Sequence, residues 1–429
     1  MGTASVACEC VPVYKWVDHA SELNFVRSGE PILNGLLHRV AIPPSLRDFS
    51  PIAPDTQAFD VAWDSGRVTR IEPVPGAARA IVLSAPVDVH VHIDKNYTVD
   101  EVGETQGDLG TAIEKMKVNR SGWTASQVHG RMTRALDDAW RCGTRALRTH
   151  LDWSDPQAPL SLSVLLDLRE DWRDRIELQF VSLTPLDRFD EQGAAAERAR
   201  TLAATGGILG AFVYRNVALQ ARLRRVFELA VAHGLALDLH VDEGLDTDAV
   251  ALSCVADLVA EYGMQGRVTC GHACSLSMQP TGQALDTLGR CALADIHLVA
   301  LPTTNLYLQG SWDGTPRERG ITRLREARAA GVNVCIATDN VADGFYPYGS
   351  YDLLETFGLG VQLAHLADAA SWLPVITSNP ARAMGLQWDG LLRVGCPADL
   401  VALKARTPYD MLTPQGRQRT VYRGGRALA

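Results

Sequence analysis

The feature that most constrains this 429-residue chain is an alternation that begins at residue 87 and ends near residue 384. Short apolar and β-branched runs occupy 87–93, 144–152, 176–184, 206–214, 235–243, 267–275, 296–303 and 332–340. Each is followed by apolar residues at helical spacing: 108–119 with 125–139, 160–174, 191–204, 217–233, 247–262, 278–293, 320–330, and 353–367 with 373–384. Parallel strands need crossover helices, and eight such βα units over roughly 250 residues close into a barrel. The expectation is therefore an α/β chain built on a distorted (β/α)8 barrel over 85–385.

The flanks carry a different pattern. Short runs at 31–40, 59–63, 68–71 and 80–84 are broken by Pro, Gly and Asp, as strands and turns are. Beyond Gly390, 394–403 reads as a turn and a strand, and 420–428 as a hairpin around Gly424-Gly425. Pairing strands from both termini gives a small β-sandwich module made of 1–84 and 386–429. Residues 1–30 show no clear pattern.

Composition excludes several function classes. Net charge is −9 with no basic block, which argues against nucleic acid or an anionic membrane as partner. No apolar run reaches the ~18 residues of a membrane span. Residues 1–14 lack the basic and apolar regions of a secretory signal, and Val6 stands where a myristoylation signal needs Ser or Thr. The nine cysteines (8, 10, 142, 254, 270, 274, 291, 335 and 396) are odd in number and form no CxxC, so reduced thiols and a cytoplasmic location are expected.

In such a barrel the chemistry sits at the C-terminal ends of the strands. The unusual polar residues of this chain collect there: His90 and His92, then His150 and Asp152, then His240, Asp242 and Glu243, then His272, then Asp339 and Asn340. One histidine is ordinarily a satisfied interior residue, and an Asp after a strand is ordinarily a helix cap. Such readings weaken when five strands aim imidazoles and carboxylates at one mouth. His90 and His92, two apart on a strand, project from one face. With His240 and Asp339 they offer three nitrogens and a carboxylate, a set suited to one divalent metal, zinc or iron, with a position left for water. A two-metal site calls for a bridging group such as a lysine on the fourth strand. That strand (GGILGAFVYRN) contains no lysine. Asp339 can accept the water's proton, Glu243 can shuttle it to the substrate, and His272 can stabilise the attacking oxygen.

These residues resemble a known family, the cytosine deaminase branch of the amidohydrolase superfamily. The resemblance rests on HVHIDK at 90–95, RTHLD at 148–152, LHVDE at 239–243, TCGHACS at 269–275, NLYLQGSWDGTPRERGIT at 305–322 and ATDNVADGFYPYGS at 337–350. It implies the barrel, one zinc or iron ion on His90, His92, His240 and Asp339, and Glu243 and His272 as catalytic residues. The implied reaction is hydrolytic deamination of a small amino-substituted nitrogen heterocycle, in a possible homo-oligomer. The substrate shell departs from the family. The glutamine that cytosine deaminases carry after the third strand is missing from SLTPLD at 182–187, which includes Leu186. Their second aspartate is Asn340, and their tryptophan is Phe345. Lys95 in HIDK leans towards the relatives that remove N-alkylamines from s-triazines, which lack a glutamate at the position of Glu243. Lys95, Leu186, Arg215, Asn340 and Phe345 are therefore the candidate substrate contacts, and cleavage of a cyclic amide or N-alkylamine C–N bond is the alternative. A non-catalytic metal-binding relative is the remote one.

Overall fold

Four strands precede the barrel: β1 (Gly35–Ala41), β2 (Ala58–Asp64), β3 (Arg67–Val74) and β4 (Ala80–Ser84). The barrel follows as β5 (Val87–Val91), β6 (Ala146–Asp152), β7 (Glu177–Leu183), β8 (Ile208–Val213), β9 (Leu237–Val241), β10 (Val268–His272), β11 (His297–Ala300) and β12 (Asn333–Ile336). Then come β13 (Leu400–Leu403), β14 (Arg419–Arg423) and β15 (Arg426–Ala427). The coordinates are a computed structural model and describe residues 34–50, 57–105 and 109–428. Residues 1–33, with Cys8, Cys10 and any leader, lie outside the described residues. The seven described cysteines are free thiols. No helix among the described residues is long and apolar enough to cross a membrane.

Strands β5 to β12 lie side by side in sequence order, all parallel. The seam between last and first closes through a bridge from Val91 to Asp339, where the Asp339 N–H donates to the His90 carbonyl at 2.9 Å. Just below, Asp88 accepts from the Thr338 N–H and hydroxyl at 3.2 and 2.6 Å. The closure thus runs through two of the expected metal ligands. It joins a sheet that would otherwise present two unpaired edges.

The helices bury one apolar face against the strands, through residues such as Leu136, Leu165, Phe227 and Leu288. Helix Ala125–Cys142 shows why the sequence starts and stops it where it does. Thr124 and Gln127 form a reciprocal capping box, and Gly143 ends it at φ 102°. The terminal strands form one seven-stranded sheet, β15-β14-β13-β4-β1-β2-β3. Its core holds Phe59, Trp63, Val82, Trp388 and Leu400.

Several boundaries move for tertiary reasons. The helix expected from residue 247 begins at Ala251, where the Asp242 carboxylate, on the loop after β9, accepts from the Ala251 and Leu252 N–H groups. The run 296–303 stops as a strand at Ala300, and Pro302 opens a helix, Pro302–Leu308. The run 373–384 divides into two short helical turns, Leu373–Ile376 and Ser378–Ala383, each with a proline that cannot donate to a preceding carbonyl.

Candidate active site

The polar strand ends meet at the mouth of the barrel. His90 and His240 approach Nε2 to Nε2 at 3.2 Å. Asp339 Oδ1 lies 3.2 Å from His92 Nε2 and 3.6 Å from His90 Nε2. Atoms bound ~2.1 Å from one ion at tetrahedral angles stand ~3.4 Å apart, so these separations fit a shared cation. The chemistry of the donors agrees. Burial, with the surrounding imidazoles, pushes His90 and His240 well below the ordinary histidine range; burial, then the Lys95 ammonium, does the same to His92. All three are neutral, as ligands must be. Both Asp339 oxygens are buried without a hydrogen-bond partner, an arrangement that a cation would satisfy. One glycine makes room for this cluster: a Cβ on Gly271 would stand 2.9 Å from His90 Cε1.

Glu243 and His272 flank the cluster. Burial pushes the Glu243 carboxyl well above its usual range, with the Asp339 charge adding to the effect. His272 Nδ1 lies 3.0 Å from Asn305 Oδ1 and 3.4 Å from Glu243 Oε1. With Nδ1–H donating to Asn305, the Nε2 lone pair is left free, and no protein group meets it. Burial lowers the His272 pKa, which keeps that lone pair available.

His150 belongs to the same crowd but is aimed differently. Its ring stacks on His90 at 3.9 Å between centroids, and its Nε2 lies 3.2 Å from Asp238 Oδ1, below the cluster. The other Asp238 oxygen accepts from Arg148 at 2.8 Å. Arg148 also donates to Gln179, Thr269 and the Ala383 carbonyl. A polar layer therefore lies under the histidine–aspartate cluster. Neither Asp238 nor this role for Arg148 was expected from the sequence, although Asp238 stands two residues before His240 and so on the same strand face.

A cavity opens above the cluster, lined by His92, His240, Glu243, His272 and Asp339 at one end. Three of the five expected substrate contacts, Lys95, Asn340 and Phe345, line it. The Lys95 ammonium donates to Asp152 Oδ1 at 2.8 Å and sits 5.0 Å from the Phe345 ring centre. Burial works against its charge, but Asp152 and Asp94 hold its pKa above the ordinary value. Asp152, opposed by burial, is drawn down to about 2 by Lys95 and Arg120. Asn340 donates to Asp343 Oδ2 at 2.7 Å. The structure does not bring the other two to the cavity. Leu186 is buried in the core, and its neighbour Pro185 takes the wall position. Arg215 is exposed and paired with Asp246 at 2.6 Å in a separate surface recess with Tyr214 and Asn216. Of the rings at 345–348, Tyr346 and Tyr348 pack against Tyr307 rather than into the cavity.

The cavity also has a wall that lies away from the strand ends. Helix Leu109–Arg120 lays Leu109, Ile113, Met116, Lys117 and Arg120 across the mouth. Leu183, Pro185 and Phe212 form another apolar stretch of its wall. The spacing of 113, 116, 117 and 120 marks one helix face, and that was the available signal.

Comparisons with known proteins fit this arrangement. The amidohydrolase family model matches residues 169–428. A pterin deaminase of Rhizobium rhizogenes (strain K84) is 38% identical over 346 residues, 80% of this chain and 79% of the relative. The N-isopropylammelide isopropyl amidohydrolase of Pseudomonas sp. (strain ADP) is 24% identical over 86% of this chain and 93% of its own. Among solved structures, a 5-methylcytosine deaminase from Klebsiella pneumoniae shares the fold with a TM-score of 0.80 at 24% identity, covering 92% of this chain and 97% of its own. The chain belongs to the amidohydrolase family.

Proposed function

We propose that this protein is a metal-dependent hydrolase that deaminates a small amino-substituted nitrogen heterocycle, with a pterin-like bicycle as the leading class. The observation that carries the reading is the convergence of three neutral imidazoles, the partnerless Asp339 carboxylate and the proton-bearing Glu243 at one end of a cavity with apolar stretches in its walls. The 38% identity to a pterin deaminase supports the bicyclic class.

A single zinc or iron ion on His90, His92, His240 and Asp339 would lower the pKa of a water towards neutrality. The chain's own groups do the rest. The free Nε2 of His272 accepts a hydrogen bond from the attacking water and turns its oxygen towards the substrate carbon. Asp339 takes a proton from that water. Glu243, kept protonated by burial, donates to the ring nitrogen next to the reacting carbon, which makes the carbon electrophilic. Protons passed back to the amino group let it leave as ammonia, so water and a C–NH₂ group become C=O and NH₃. The apolar faces of helix Leu109–Arg120, Phe212 and Pro185 hold a flat ring, and Lys95 offers further N–H donors to a ring carbonyl.

The test is ammonia release by metal-reconstituted protein from pterins, purines, aminopyrimidines and triazines. Release from none of them overturns the reading. Lys95 and the Asp339-Asn340 pair favour one second reading, removal of an alkylamine from an N-alkyl heterocycle. Amine appearing in place of ammonia would establish it.

A further inference from the structure

Cationic side chains line the cavity beside and beyond the histidine cluster. Lys95, Lys117 and Arg120 line it, and Asp152 is the lining acid that lies among them. Asp152 is consumed by two of them, accepting from Lys95 at 2.8 Å and lying 3.2 Å from Arg120. Lys117 meets only Glu114, at 3.9 Å, with both side chains more than half exposed. Asp94 adds a second carboxylate near Lys95 and Arg120, so what faces the cavity unengaged is the Lys117 ammonium and the Arg120 N–H groups not turned to Asp152. Glu101 and Glu114 belong to the same region, but neither lines the cavity. Lys117 and Arg120 lie on one helix face with Ile113 and Met116, so the surface that covers the ring also carries these two cations.

We infer that the cavity selects a heterocycle bearing a carboxylate on the side facing helix Leu109–Arg120, bound by Arg120 and Lys117. This rests on the deaminase reading and narrows it. The catalytic end accounts for the amino-bearing edge of the ring. A substituent on the opposite edge reaches the helix, where a planar carboxylate matches the guanidinium fork of Arg120 and the nearby ammonium.

The experiment measures kcat/KM for ammonia release from 2-amino-4-oxopteridine and from its 6-carboxylate, in the wild type, Lys117→Glu and Arg120→Gln. Arg120 also steadies Asp152, so the readout is the ratio of the two kcat/KM values. The expected ratio favours the carboxylate by roughly tenfold, about what one added charge-assisted contact supplies. It should fall at least ~fivefold in each variant. It should also fall in the wild type as salt rises from ~0.1 to ~1 M and the screening length shrinks from ~10 to ~3 Å. A ratio near one in the wild type, or one unchanged in both variants, overturns the inference while leaving the deaminase reading intact. Absence of ammonia from both compounds counts against that reading instead. Calorimetric binding of the same two compounds then decides the inference by the same ratio.

Discussion

Asp238→Asn tests whether the polar layer beneath the histidine–aspartate cluster is held together by charge. Asp238 is fully buried, with Arg148 at 2.8 Å and His150 at 3.2 Å. Burial opposes its ionisation, yet His150 and Arg148 keep its pKa below the ordinary value, so the carboxylate is charged in the folded protein. Replacing it with an amide leaves the Arg148 guanidinium buried without a counter-ion. Removing one partner of such a pair costs ~3–5 kcal/mol. Three neutral acceptors remain to Arg148, on Gln179, Thr269 and Ala383, which places the expected cost near ~3 kcal/mol. An unfolding entropy of ~2.1 cal/mol/K per residue gives ~0.9 kcal/mol/K for a chain of this length, so the melting temperature should fall by ~3–4 °C. The double variant Arg148→Met/Asp238→Leu removes both charges and should recover most of that loss. Differential scanning calorimetry of the metal-loaded proteins reads both. A single variant within ~0.5 °C of wild type, or a double variant no better than the single, would refute the reasoning.

Other perturbations have equally definite outcomes. Glu243→Gln should lower kcat by ~10²–10⁴ while metal content, read by mass spectrometry, stays at wild-type level. Gly271→Ala places a methyl group 2.9 Å from His90 Cε1 and should weaken metal retention against a chelator. His297 is held neutral by burial, with its pKa lowered to about 4. A lowered histidine contributes stability that is complete above its unfolded pKa of ~6.5 and is lost as pH falls towards 4. That lowering amounts to ~3 kcal/mol, so urea unfolding of wild type relative to His297→Asn should converge over that interval. Removing metal should lower the melting temperature, with zinc or iron restoring it in a concentration-dependent way.

The barrel was legible because its signal is repetitive. Eight apolar runs at regular intervals survive errors of a few residues in any one of them, and the strands from both termini that share a sheet declared themselves by turn residues. What stayed hidden was decided by contacts distant in sequence. The late start at Ala251 depends on the Asp242 carboxylate, which precedes it by nine residues and so does not look like a cap. The helix wall was hidden because Leu109–Arg120 reads as an ordinary surface helix; only the closed barrel shows that Ile113, Met116 and Arg120 face a cavity. Arg215 misled for the converse reason. It follows a barrel strand as an active-site residue would, but Asp246 takes its guanidinium into a different recess.

The same logic explains how Glu243 and His272 come to face the cavity at all. Strand alternation puts Asp238 and His240 of β9 inside the barrel, with the intervening residue outside. Three residues beyond His240, Glu243 would point outward if the pleat continued. In β10, Thr269 and Gly271 face inward, shown by the Arg148 bond to Thr269 and the closeness of Gly271 to His90, so His272 would also point away. Both reach the cavity because the backbone leaves the pleat. Asp242 has φ 50° and His272 φ 68°, left-handed values that cost a non-glycine residue ~1–2 kcal/mol. Asp339, at φ 62°, shares the feature. Each strained position is held by bonds made elsewhere: Asp242 by the Val213 carbonyl and the two helix N–H groups, His272 by the Thr322 hydroxyl on its carbonyl, Asp339 by the His90 carbonyl. Residues in phase with the strands supply His90, His92 and His240, and a two-residue periodicity finds them. Glu243 and His272 are out of phase, and the folded barrel places them by holding a strained backbone that periodicity alone does not reveal.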